Sequence, residues 1–228
     1  MTTIPMVCPV AFGEEGTRML ELWLRAYQHS GSTFPVTVIT DDPTTDTLGL
    51  PVAATCIEGM PHAGGMHRAG CIKMSSYIAL RDRGHDGPVI AMDCDILQVQ
   101  PIDPLADECC AESMAIAPNP WETRWPWLPE LHDEKNTGLI WMNSDEPYRM
   151  WRNLWPHYWH TIHQVREIKY SDEIVQSLIW QRMCGLELDR RWNLSHRQTE
   201  LYDEASAVHF HGPNKDKMQA FMAQRGIV

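Results

Sequence analysis

The stretch Val89-Ile-Ala-Met-Asp93, followed at once by Cys94 and Asp95, limits what this chain can fold into more than any other part of the sequence. Four apolar residues in a row predict a buried strand. That strand runs straight into two carboxylates with one residue between them. Carboxylates this close repel each other unless solvent, hydrogen bonds or a cation relieves them. A buried strand with acids at its carboxyl end fits an α/β sheet, in which ligands gather at the carboxyl ends of the strands.

The surrounding sequence supplies the rest of such a sheet. Thr3 to Val10 reads as a first strand. After the Phe12-Gly13 turn, Glu14 and Glu15 come early, and Met19, Leu20, Trp23, Leu24 and Tyr27 recur at helical spacing before Gly31, which predicts a helix and its stop. Phe34 to Thr40 and Val52 to Ile57 read as strands, and Gly64-Gly65 precedes a helix from His67 to Arg83 closed by Gly84. Strand, helix, strand, strand, helix, strand predicts an α/β fold with a mostly parallel central sheet flanked by helices. No GxGxxG follows the first strand and no GxxxxGK[ST] occurs, so dinucleotide and P-loop readings lose their main support.

Beyond residue 105 the texture changes. Ser113 to Ala117 reads as a strand, and Pro118 to Asp133 is rich in proline and tryptophan. Asn136 to Asn143 is another strand, and Glu146 to His160 an aromatic helix with a bend expected at Pro156. A helix from Ser171 to Met183 takes Ser171 or Asp172 as its N-cap. Strands at Leu186 to Leu188 and Ala207 to Phe210 precede a last helix that starts near Lys215. No repeat, low-complexity tract or linker interrupts the chain, so a single domain over 1–228 is expected.

Composition narrows the function classes. The formal net charge of -11 argues against a broad nucleic-acid-binding surface. No apolar run approaches a membrane span, and the N-terminus has no basic leader before a long apolar core. Seven cysteines, odd in number and without CxxC spacing, read as reduced thiols of a cytoplasmic protein. Cys94, between the two acids, reads as a small core residue, because nothing near it in sequence would lower its pKa.

Residues two apart on an extended segment point the same way, so Asp93 and Asp95 can face one cation. Hard oxygen ligands suit Mn²⁺ or Mg²⁺, which carboxylates commonly share with substrate phosphates. A solvated Asp-x-Asp turn would account for the same pair. Val208 to Lys215, VHFHGPNK, adds two imidazoles, His209 and His211, on one face of a strand. Gly212 allows close backbone approach, and Lys215 brings a point positive charge of the kind that neutralises phosphate. An exposed histidine-rich turn is the plainer reading of that segment.

Taken in order, AMDCDIL with PIDPL, NTGLIWMN, SDEIVQSLIW, LDRRWN and HFHGPNK resemble the GT-A-fold glycosyltransferases across most of the chain, and within them the retaining glycogenin-like and bacterial galactosyltransferase group. The resemblance implies a Rossmann-like GT-A domain whose first half, 1–105, binds the nucleotide sugar. The second half, 106–228, would face the acceptor and carry the C-terminal metal and diphosphate loop. It implies a metal held by Asp93, Asp95 and His209, and a nucleoside-diphosphate sugar donor, a UDP-sugar in that group. Lys73, Asn136, Gly212 and Lys215 would attend the donor. Lys73 also reads simply as a surface lysine with a buried stem. The SDE segment offers Asp172 or Glu173 as the catalytic-side group, in an ambiguous register. The family's K-P-W after the histidine is K-D-K here, so the loop over the diphosphate is expected to differ.

The loop tryptophans Trp121, Trp125 and Trp127 are expected to form an acceptor-side wall, while Trp151 and Trp155, four apart on a helix, should pack inward. Arg190, Arg191, His196 and Arg197 make a small basic stretch that suits either a phosphate-bearing acceptor or a solvated loop. Nothing in the sequence selects a saccharide, lipid-linked sugar, protein or modified base as acceptor. A metal-dependent glycosyltransferase acting with retention is the leading reading. A sugar-phosphate nucleotidyltransferase, a metal-dependent hydrolase of nucleotide sugars and a non-catalytic sugar-binding module compete with it.

Overall fold

The structure is a computed structural model that describes residues 3–54, 66–120, 125, 128–165, 171–211 and 215–227, without the side chains at 54, 66–69, 159–165, 171–172 and 215. Its centre is a seven-stranded sheet in the order β3-β2-β1-β4-β7-β6-β8. The strands are β1 (Met6–Val10), β2 (Val38–Thr40), β3 (Val52–Ala54), β4 (Val89–Asp93), β6 (Met114–Pro118), β7 (Lys135–Met142) and β8 (Leu186–Glu187). Only β7 runs against the others. The mostly parallel sheet expected from the sequence is present.

The apolar run in β4 has a direct cause: both faces of the strand are covered. Val89 and Ala91 lie in one core cluster, Ile90 and Met92 in the other. On the first face pack α2 (Met66–Arg81), α4 (Glu146–Val165) and α5 (Ser171–Met183). On the second lie α1 (Gly13–His29), α3 (Pro104–Cys109) and a three-stranded sheet, β5-β10-β9. That small sheet joins β5 (Ile96–Gln98), β10 (Ala207–His209) and β9 (Leu194–Ser195). A third apolar cluster, with Leu97, Val208, Phe210 and Phe221, seats α6 (Lys215–Gln224) against it.

Several short elements differ from the sequence reading. β5, β9 and α3 are additional, and each is too short to show a periodicity of its own. The Asp103-Pro104 pair was the available signal for α3, since proline suits the first helical turn. α4 continues past the expected end at His160 to Val165, running through Pro156. Trp151 and Trp155 are both fully buried and stack at 4.6 Å between ring centroids, which anchors the helix on either side of the proline. No helix among the described residues is long and apolar enough to cross a membrane.

Two features of register place the functional groups. β10 pairs antiparallel to β5 with His209 opposite Ile96. β7 pairs with β6 through a bulge, where Ile116 faces Ile140 but Ala117 faces Asn136. The extra residues, Thr137 to Leu139, lie beside the end of β4, the usual setting of a bulge that redirects groups near a site.

Replacing Trp151 with alanine should lower unfolding free energy by about 3–5 kcal/mol, read as a reduced urea midpoint at an unchanged m-value.

Candidate metal centre at the carboxyl end of the sheet

β4 delivers Asp93 to the carboxyl edge of the sheet, and a two-residue turn brings Asp95 to the start of β5. Because β10 lies alongside β5, His209 arrives beside Asp95, and the Phe210 N–H donates to the Asp95 carbonyl at 2.8 Å. One ligand atom from each of Asp93, Asp95 and His209 lies within 4.8 Å of the other two. Residues more than a hundred positions apart in the chain therefore share one small volume.

The imidazole needs room beneath it, and Gly138 in the β7 bulge provides it. A Cβ there would sit 2.5 Å from Cε1 and 2.6 Å from Nδ1 of His209, well inside contact distance. The bulge is held internally: the Asn136 Oδ1 accepts from the Gly138 N–H at 3.1 Å and from Asn193 Nδ2 at 2.8 Å. The Thr137 carbonyl accepts a hydrogen bond of 2.7 Å from Lys73 Nζ. Lys73 is 2% exposed, and its ammonium also meets both Asp93 oxygens, at 3.0 and 3.1 Å. It is therefore no surface lysine.

Burial sets the electrostatics of the cluster. It raises the Asp95 carboxyl to about 6, against the pull of His211 and Lys73. It raises Asp93 as well, opposed mainly by Lys73. It lowers the His209 imidazole to about 4, and it lowers His211 to about 3 with help from His209. At neutral pH the Asp95 carboxyl is largely ionised and both imidazoles are neutral, the ionisation states that ligate metal.

Hydrogen bonding tells the same story. His209 Nε2 lies 3.2 Å from Asp95 Oδ1, yet Asp95 Oδ1 and His209 Nδ1 are buried atoms without a hydrogen bond among the described residues. Buried polar atoms rarely stay unpaired in a native site without a ligand to meet them. Two carboxylates and one imidazole are a donor set that suits Mn²⁺ or Mg²⁺. The residues present fit such an ion.

Further imidazoles close the cluster. The His196 N–H donates to the His209 carbonyl at 2.9 Å, and the His196 ring stacks on Phe210. The His211 ring centroid is 3.8 Å from that of His209. Cys94 points away, into the core, and its thiol is held well above the usual range by burial and the flanking acids.

The other expected site residues are placed unevenly. Asn136 is 1% exposed, with its side chain committed to the bulge and to Asn193. Glu173 lies half-buried in the first turn of α5. The Asp172 and Lys215 side chains, Gly212, Trp121 and Trp127 fall outside the described residues. Trp125 is a correction: it is 8% exposed, packs in the core, and donates its Nε1–H to the buried Glu134 at 3.1 Å. A tryptophan whose ring is in the core and whose polar edge is bonded cannot serve as an open wall. Arg190 and Arg191 pair with Glu204 and Glu108. The sequence does not single out Gly138 or Asn193, though NTG and LDRRWN contain them, and His196 reads there only as part of a basic stretch. A separate cavity of about 470 Å³ opens at the amino end of the parallel strands, among Pro5, Phe34, Pro88 and Trp141, and none of Asp93, Asp95 and His209 lines it.

Comparison with known proteins bears on the fold. No protein-family model matches the chain, and no curated protein shows significant sequence similarity to it. Its structure is similar to that of the galactosyltransferase LgtC in complex with donor and acceptor sugar analogs, with 13% identity over 97% of this chain and 95% of that one and a TM-score of 0.60. It is similar to a glycosyltransferase involved in glycosylation of the major capsid of PBCV-1, at 13% identity, 97% and 99% coverage and a TM-score of 0.59. Mouse xyloside xylosyltransferase 1 matches at 11% identity, 91% and 98% coverage and a TM-score of 0.57. At these identities the likeness establishes a GT-A-type fold.

Two outcomes follow from the geometry. Gly138→Ala should displace His209 and weaken Mn²⁺ binding by about tenfold or more, the scale of disturbing a ligand's support, with an unchanged far-UV spectrum. Protons should also compete with the ion: because the Asp95 pKa is raised to about 6, a growing share of the ligand is protonated below that pH. The Mn²⁺-induced rise in Tm expected at pH 7.5 should shrink sharply at pH 5, whereas His209, lowered to about 4, stays largely neutral at both.

Proposed function

We propose that this chain is a metal-dependent glycosyltransferase that moves a sugar from a nucleoside-diphosphate donor, a UDP-sugar, to a hydroxyl acceptor with retention. The observation that carries the reading is the meeting of Asp93, Asp95 and His209 at the carboxyl edge of a GT-A-type sheet. A dedicated protein cage for Mg²⁺ or Mn²⁺ is unusual; two carboxylates and an imidazole leave ligand positions for substrate phosphates.

Breaking the bond between a sugar and a diphosphate leaves a highly charged nucleotide. Asp93, Asp95 and His209 would hold a divalent ion, which would supply charge stabilisation at those oxygens. The chain's own groups do the rest. β4 and the β5–β10 pair hold the ligands rigidly, so little reorganisation is needed as charge develops. Lys215, the last residue of the HFHGPNK segment, opens α6, and we assign its ammonium to the diphosphate. Asp172 or Glu173, at the start of α5, orients hydroxyls of the donor sugar or acceptor. Residues 1–105 then form the donor side, and 106–228 the acceptor side with Trp121 and Trp127 in its loop. The reading places the protein in the cytoplasm, where nucleotide sugars are made available.

The test is nucleotide release from a panel of nucleoside-diphosphate sugars, with and without candidate acceptors and Mn²⁺. Release should require the metal and rise with one acceptor class. Asp95→Asn should lower kcat on the order of 10²-fold or more, the scale of losing one group at developing charge. Metal-independent turnover, or an unaffected Asp95→Asn enzyme, would sink the proposal. Release unchanged by every acceptor would instead favour hydrolysis.

A further inference from the structure

The acid pair is not alone in the site: a cation is already built into it. Lys73 reaches from α2 to the end of β4, where its ammonium lies 3.0 and 3.1 Å from the two Asp93 oxygens and 2.7 Å from the Thr137 carbonyl. At 2% exposure the group is almost out of reach of screening water. Its presence answers how two acids one residue apart remain tolerable without an external ion. It also changes what such an ion would meet.

Counting formal charge makes the point. Asp93 and Asp95 bring two negative charges, Lys73 returns one positive, and an imidazole that ligates metal is neutral. These three described charges therefore offer a divalent ion one net negative charge, and with the ion they sum to one net positive charge. Both Asp93 oxygens already face Lys73, so an ion that takes one of them shares it with the ammonium. An ion would be held poorly by this set on its own, and the surplus positive charge would be met by an anion arriving beside it.

We propose that Lys73 is an internal counter-cation that makes retention of the divalent ion conditional on a nucleoside diphosphate, so that the two bind as a pair. The inference rests on the metal and nucleotide reading above and adds to it a reason for the order of loading. Lys73 acts here through Asp93, as a positioning and charge-setting residue. Coupling of this kind is reciprocal: UDP tightens the ion by the same factor by which the ion tightens UDP.

Calorimetry can separate the possibilities, with MnCl₂ titrated into the protein alone and UDP titrated with saturating Mn²⁺ or with EDTA. In the unmodified protein the UDP Kd should fall tenfold or more when Mn²⁺ is present, and Mn²⁺ alone should bind weakly. In Lys73→Met at pH 8, Mn²⁺ alone should bind about tenfold tighter, equivalent to about 1.4 kcal/mol. The ratio of UDP affinities with and without the ion should shrink by at least threefold. Lys73→Arg, which keeps the charge, should retain the unmodified coupling. Lys73→Gln serves in the same way should the methionine variant fail to fold, which circular dichroism would show. If Mn²⁺ binds but Lys73→Met or Lys73→Gln leaves both its affinity and the coupling unchanged, the counter-cation role is wrong while the metal centre stands. If Mn²⁺ binds to no form, with or without UDP, the metal reading and this inference fall together.

Discussion

The antiparallel pairing of Ile96–Gln98 with Ala207–His209 is the contact on which the site depends. It is a short ladder, and its stability comes from the apolar clusters on either side: Ile96 in one, Leu97, Val208 and Phe210 in another. Because side chains alternate on a strand, a slip of one residue would turn His209 away from Asp95. The bond from the Phe210 N–H to the Asp95 carbonyl and the stacking of His196 on Phe210 both resist that slip. Packing of hydrophobic residues thus sets the distance between an acid and an imidazole that share no covalent neighbourhood.

The β7 bulge does for the other side of the site what that ladder does for this one. Three neighbouring residues take three different tasks. Asn136 ties the bulge to Asn193 and to its own strand, Thr137 presents a carbonyl to Lys73, and Gly138 leaves space for the His209 ring. None of these requires Asn136 to face a ligand. Its burial argues that the asparagine shapes the site through the backbone.

Much of this was legible in the sequence, and the reasons for the rest are physical. The β4 run, its two acids, the α5 span and the HFH segment announce themselves because burial on two faces, capping and ligand chemistry each leave a local pattern. β5 and β9 leave none; strands of two or three residues are defined by their partners. The burial of Lys73 was hidden for the same reason, since its counter-charge lies twenty residues on, in another element. Trp125 misled because a proline-rich loop suggests exposure, whereas Glu134 gives the indole a bonded place inside.

The position of Cys94 bears on which ions the loop would reject. Its sulfur is the one soft donor between two hard ones, and a thiolate there would draw zinc or copper(I) in preference to manganese or magnesium. The turn that follows Asp93 leaves this thiol in the apolar core, where it is 1% exposed and burial keeps its proton on. Oxygen atoms gather at the candidate centre while sulfur lies among hydrocarbon, so the turn presents hard donors there and withholds the soft one.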